Sequence, residues 1–233
     1  MTFERIIAIG DIHGCVHALD SLLEAIKPGA GDLVVVLGDF IDQGHETRSV
    51  VDTLIALRDR CTLVCLKGNH EEMLLAARTS EAALRYWEMC GGVQTLNSYR
   101  FGCTLDEIPT DHWEFVSGCR DYFETANHIF VHANFDPAAP LAEQKVHTLR
   151  WELFDPDVAQ CHCSGKTVVV GHTEQKDGEI LDLDCIKCID TGCWRHGWLT
   201  ALEVTSNHLW QASRFGFLRE SNEPPVGPIG SRR

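Results

Sequence analysis

Three short apolar runs, at residues 5–9, 33–37 and 62–66, each lead into a polar turn and then into a stretch whose apolar positions recur at helical spacing. The runs predict β-strands and the stretches that follow, at 16–26, 46–59 and 71–77, predict helices. Strands alternating with helices imply a largely parallel sheet, in which ligands bind beyond the carboxyl ends of the strands. The three turns, at Asp11, Asp39 and Asn69, are therefore expected on one functional edge. Residues 82–118 read as helices with loops, interrupted at Gly91-Gly92 and Pro109, and Trp87 and Trp113 are expected to anchor them as a cap over one side. Strand-like segments then dominate, at 122–125, 128–132, 167–170, 180–189, 199–204 and 208–212, with a proline-containing loop at 134–140.

A chain of 233 residues with 44% hydrophobic and 23% charged residues can bury a full core, so residues 1–220 are expected to form a single catalytic domain. Residues 221–233 contain three prolines and two glycines and read as a flexible tail. Nothing near the N-terminus resembles an export signal, and no stretch reaches the roughly 18 apolar residues of a membrane span. The eleven cysteines, an odd number, suggest reduced thiols and a cytoplasmic location. Cys161-x-Cys163 and Cys185-x-x-Cys188 leave a structural zinc site open, although one alternating strand across 180–189 would send Cys185 and Cys188 to opposite faces. A net charge of −14 argues against binding a nucleic-acid backbone, so any phosphate would have to be drawn in locally, as bound cations would do.

The chemistry sits in the turns. Gly10-Asp11-Ile12-His13-Gly14 sets a carboxylate and an imidazole just past a strand, an arrangement that by itself also suits an ordinary turn. Gly38-Asp39-Phe40-Ile41-Asp42-Gln43-Gly44 repeats the geometry with two carboxylates, and Gly68-Asn69-His70-Glu71 repeats it with an amide and an imidazole. His132 and His172 stand where two later strands stop. Carboxylate, imidazole and amide oxygen together suit Mn²⁺, Fe, Co²⁺ or Zn²⁺, and clustered aspartates would repel one another without a cation.

The ordered motifs GDIHG, GDFIDQG, GNHE, VHA and VGHT, followed by Asp190-Thr191-Gly192, resemble the calcineurin-like metallophosphoesterase superfamily, and within it the bacterial and phage phosphoprotein phosphatases. The resemblance implies an α/β fold, a four-layer β-sandwich flanked by helices. It also implies two divalent ions, manganese first among them: Asp11 and His13 on one, Asp39 bridging, and Asn69, His132 and His172 on the other. Other branches carry a histidine where Glu174 stands here. Paired ions acidify a bridging water, so the nucleophile is expected to be hydroxide. His70 is then the general acid and Asp42 its orienting carboxylate, unless Asp42 merely caps the helix beginning near residue 46.

Where the phosphatase motif has arginine this chain has Gln43, which has no charged fork for phosphate. Arg150 and Arg48 are the candidate replacements, with solvated surface arginines as the alternative for both. The expected activity is hydrolysis of phosphomonoesters, including phosphoserine or phosphothreonine in proteins. Gln43 keeps open a phosphodiesterase or dinucleoside polyphosphate hydrolase, and a non-catalytic metal-binding scaffold is the third reading.

Overall fold

The computed structural model describes residues 2–219, and the tail expected at 221–233 lies outside them. Two five-stranded mixed sheets face each other. The first has the order β10 (His208–Ser213), β9 (Trp198–Glu203), β1 (Arg5–Ile9), β2 (Asp32–Val36) and β3 (Thr62–Cys65). The second runs β4 (Tyr122–Glu124), β5 (His128–Val131), β6 (Thr167–Val170), β8 (Ile186–Cys188) and β7 (Leu181–Asp182). β1, β2 and β3 are parallel, as are β5, β6 and β8.

Strand periodicity explains the layering. Ile7, Ile9, Val34 and Val36 point outward onto α1 (Val16–Ile26) and α2 (Thr47–Leu57), packing with Leu19, Leu22, Val50 and Leu54. The intervening Ala8, Leu33, Val35 and Leu37 point inward and meet Phe130, Val169 and Ile189 of the second sheet. A strand buried on both faces must be apolar at every position, which is why these strands read as unbroken runs. The outer face of the second sheet, with Ile129, Val131, Val168 and Val170, is covered by Phe135, Leu149 and Phe154.

The cap comprises α3 (Asn69–Ala77), α4 (Glu81–Trp87), α5 (Val93–Tyr99) and α6 (Thr110–Ser117). A wide turn at Glu88–Gly92 joins α4 to α5, where Gly91 takes φ 111°, and Pro109 precedes α6. A short helix α7 (Val146–Trp151) follows the second sheet's β5. Trp87 is fully buried, and Trp113 is half-buried beneath the guanidinium of Arg78.

Two expectations are corrected. The single strand at 180–189 is a hairpin: β7 pairs antiparallel with β8 around Asp184, at φ 61°. The turn breaks the alternation on which the placement of Cys185 and Cys188 relied. Cys161 and Cys185 form a disulfide rather than free thiols or zinc ligands, while Cys163 is exposed and Cys188 buried. Among the described residues no helix is long and apolar enough to cross a membrane.

Candidate metal centre

The parallel strands deliver the site. Asp11, Asp39 and Asn69 follow β1, β2 and β3 at their carboxyl ends, and His132 and His172 follow β5 and β6 at the facing edge of the second sheet. The turns are tight: His13, Asp39, Asp42, Gln43 and His172 are five of the eight described non-glycine residues at positive φ. Such backbone is held only where surrounding contacts enforce it, and it concentrates at functional sites.

Two donor clusters result, each with its ligand atoms within 4.8 Å of one another: His13, Asp39 and His70, and Asp39, His132 and His172. Asp39 belongs to both. Its Oδ2 lies 3.8 Å from His13 Nε2, 4.0 Å from His70 Nε2 and 3.4 Å from His132 Nε2. Asp11 is placed beside the second cluster, where both its oxygens accept the His172 amide at 3.2 Å.

Carbonyl oxygens set the histidine tautomers. His13 Nδ1 donates to Ile41 O at 3.0 Å and His132 Nδ1 to Leu37 O at 2.9 Å, leaving each Nε2 with a lone pair facing inward. His172 donates through Nε2 to Trp151 O at 3.2 Å, leaving Nδ1 free. Ligating histidines are oriented in this way by the partner of their other nitrogen. Burial, reinforced by the neighbouring imidazoles His70 and His132 respectively, lowers His13 and His172 to about 4, so both are neutral at pH 7.

The donor set fits a cation. Asn69 Oδ1 sits 3.2 Å from His132 Nε2; a reversed amide would instead donate to Asp39 Oδ2 at 2.9 Å and to His132 Nε2 at 3.2 Å. With the oxygen inward, the Asn69 amide oxygen, the Asp39 carboxylate and the His132 imidazole converge on one point, a donor set suited to a cation. Two acids, Asp11 and Asp190, are raised, whereas Asp39, despite its burial, is kept well below the usual carboxylate range by the surrounding histidines. Burial, with repulsion from Asp190 and Asp39, holds Asp11 well above the usual carboxylate range, and burial raises Asp190 to about 6.

His70 differs from His13 and His172. Burial opposes its charge, but Asp39 and Asp42 outweigh burial and raise it to about 9. Its Nδ1 donates to Asp42 Oδ2 at 2.8 Å, which leaves Nε2 at the Asp39 side of the cluster. Asp42 caps no helix, because its carboxylate is taken by His70, Trp87 and Thr95.

Gln43 and the two arginines offered in its place are all engaged by other groups. Gln43 donates through Nε2 to Cys90 O at 2.9 Å. Arg150 is mostly buried, with its fork on Glu72 and Asp121, rather than solvated. Arg48 is exposed and faces Asp52 across one helical turn at 3.8 Å.

Sequence reasoning missed Glu71. This buried carboxylate accepts the amides of Asp39 (2.8 Å), Phe40 (3.0 Å) and Gly68 (2.9 Å), tying the second turn to the third. An acid three residues after the residue preceding a helix is a capping signal that could have revealed it. Thr95 carries no such signal, and the sequence marks Trp87 only as a packing residue.

The Calcineurin-like phosphoesterase family matches residues 4–176, and the chain belongs to that family. It is 27% identical over 209 residues to Serine/threonine-protein phosphatase 1 of Salmonella typhimurium, covering 84% of this chain and 90% of that one. It is also 31% identical over 138 residues to the symmetrical Bis(5'-nucleosyl)-tetraphosphatase of Pseudomonas fluorescens, covering 56% of this chain and only 43% of that protein. A solved cold-active protein tyrosine phosphatase shares the fold, with TM-score 0.65 and 17% identity over 93% of this chain and 78% of the other.

Proposed function

We propose that residues 1–220 form one catalytic domain that hydrolyses phosphoric esters. In this reading Asp11, His13, Asp39, Asn69, His132 and His172 hold two divalent cations, manganese first, and His70 protonates the leaving oxygen. The observation that carries it is the membership of Asp39 in both donor clusters, since a carboxylate shared by two sets of lone pairs is what a cation pair requires. Divalent cations held by these residues would supply positive charge to phosphoryl oxygens and acidify a water for attack at neutral pH.

The chain's own groups do the rest. Leu37, Ile41 and Trp151 carbonyls keep three imidazole lone pairs inward, and Glu71 fixes the turn that carries Asp39. His70, kept doubly protonated by Asp39 and Asp42, holds its Nε2 proton for the oxygen that departs when the phosphorus–oxygen bond breaks. Asp42 fixes the ring through Nδ1.

Phosphomonoesters, including phosphoserine and phosphothreonine in proteins, are the first substrate reading. A second, a dinucleoside polyphosphate or other diester, is favoured by two features. Gln43 supplies no guanidinium, and a cleft of about 720 Å³ beside His13 is walled by Trp194, Arg195, Arg214 and Phe215, which suits an aromatic base on an anionic chain. Chelated protein reconstituted with Mn²⁺ and assayed on p-nitrophenyl phosphate, its bis-ester, a phosphoserine peptide and a dinucleoside tetraphosphate tests both readings. Monoester hydrolysis is expected to exceed that of the bis-ester; a preference for the bis-ester above about tenfold in kcat/KM, worth ~1.4 kcal/mol, selects the second reading. No turnover of any ester would leave only the metal-binding scaffold.

A further inference from the structure

We propose that Trp87 and Thr95, both on the cap, are positioning residues for the leaving-group acid: they hold the Asp42 carboxylate in the one orientation from which it aligns His70. The proposal rests on His70 being that acid.

Asp42 is completely buried, and its carboxylate receives three donors. Oδ2 accepts His70 Nδ1 at 2.8 Å and Trp87 Nε1 at 2.8 Å, while Oδ1 accepts Thr95 Oγ1 at 2.6 Å. A carboxylate held only by His70 could rotate about its last bond and take the ring with it. The indole and the hydroxyl, arriving at different oxygens from different helices, remove that freedom.

Thr95 grips Asp42 at both ends. Its one hydroxyl proton goes to Asp42 Oδ1, while its oxygen accepts the Asp42 backbone amide at 2.9 Å. Because that proton is committed, the 3.0 Å contact with Thr47 Oγ1 has Thr47 as donor. Asp42 sits at φ 67° and Gln43 at φ 63°, a pair of left-handed residues that an unsupported chain would not keep. The Thr95 and Thr47 hydroxyls, both accepting the Asp42 amide, brace this turn from the cap side and from α2.

Gln43 completes the seam. Its amide donates to Cys90 O at 2.9 Å, and Gly91 approaches so closely that a Cβ there would lie 2.8 Å from the Gln43 backbone nitrogen. Turn 42–43 and cap segment 87–95 thus meet through Trp87, Thr95, Cys90 and Gly91. The cap is a brace for the acid, and the residue that replaces the motif arginine is part of that brace.

A purely structural role for Trp87 and Thr95 predicts uniform damage, whereas a role in aligning an acid predicts damage that grows with the leaving group's need for a proton. Steady-state kinetics of the Mn²⁺-reconstituted protein on phenyl and p-nitrophenyl esters, mono- or diesters according to which are turned over, separates the two. The phenolate must be protonated as it leaves; the nitrophenolate need not be. Thr95→Val and Trp87→Phe are expected to lower kcat by about tenfold or more on the phenyl ester and less than about threefold on the nitrophenyl ester, with KM and bound manganese unchanged. Thr95→Ser, which keeps the hydroxyl, is expected to restore both. His70→Asn serves as the reference and should show the same leaving-group dependence in stronger form. Equal losses on both esters in His70→Asn overturn the acid reading, and this proposal with it. Dependence in His70→Asn with equal losses in Thr95→Val and Trp87→Phe overturns this proposal alone. Trp87→Phe preserves bulk, so it decides the matter even if Thr95→Val does not fold.

Discussion

A methyl group added at Gly68 tests how rigidly the shared carboxylate is held. Gly68 precedes α3 with φ −85°, a backbone that alanine also adopts, so any effect of Gly68→Ala is steric. A Cβ there would lie 2.1 Å from Asp39 Oδ1, 2.8 Å from Asp39 N and 2.8 Å from His132 Cε1. Reaching even the 3.0 Å limit of real contacts requires Asp39 Oδ1 to retreat by 3.0 − 2.1 = 0.9 Å. It has nowhere to go. Its own amide is bound to Glu71, Oδ1 accepts the His70 amide at 3.0 Å, and His132 is fixed by Leu37 O. Metal ligation tolerates only about 0.2 Å, and a misplacement of about 1 Å costs roughly 100-fold in rate. Gly68→Ala is therefore expected to lose about 100-fold in kcat/KM and most of its manganese affinity, read by calorimetric titration. Overpacking should also cost about 1–3 kcal/mol, or roughly 2–12 °C in Tm. Gly31→Ala is the control. Its Cβ would meet the end of the exposed Glu4 side chain at 2.5 Å, which can swing aside, so Tm should move by under about 2 °C. If Gly68→Ala keeps more than about a tenth of wild-type kcat/KM with unaltered manganese titration, the argument for a rigid shared carboxylate is wrong.

Asp39→Asn should abolish manganese binding at both ion positions, whereas His172→Ala should leave one ion bound; metal analysis after gel filtration distinguishes them, and equal stoichiometry in the two variants would refute a shared ligand. Asp32 accepts Arg5 at 3.0 and 2.6 Å and the Gly29 amide at 2.8 Å, and Arg5 holds its carboxyl below the usual range. A lowered folded-state pKa means that this stabilisation is present above about pH 4 and is lost as pH falls through the folded value. Asp32→Asn should thus cost about 1 kcal/mol at pH 7, modest because Arg5 is partly exposed, and the gap from wild type should close in urea unfolding below about pH 4. The Cys161–Cys185 disulfide closes a separation of 24 residues, so Cys161→Ser should lower stability by about 3.5 kcal/mol at most in non-reducing buffer. Thermal unfolding that responds to neither the substitution nor reductant would count against the pairing.

The clustering of these side chains was legible in the sequence because they lie in local motifs tied to strand ends. A Gly-Asp or Gly-Asn step after a buried strand can only emerge at the sheet edge, so Asp11, Asp39 and Asn69 were readable together, and so were the strands themselves. Alternation does not carry across a turn: at 180–189 the left-handed Asp184 reverses the chain and brings Cys185 to Cys161. The arginines show the same boundary. Nothing near Arg150 in the chain announces that Glu72 and Asp121, 78 and 29 residues away, will claim its guanidinium.

What the sequence determined alone is the set of groups able to bind a cation, the strands and helices that carry them, and the edge where they gather, since each of these follows from residue type and local periodicity. Tertiary structure decided which partner each group meets: Glu71 between two turns, Trp87 and Thr95 on Asp42, Gln43 on the cap. Hydrogen bonds and ion pairs between distant segments depend on side-chain reach and direction within about 3 Å, and only the packed fold sets those.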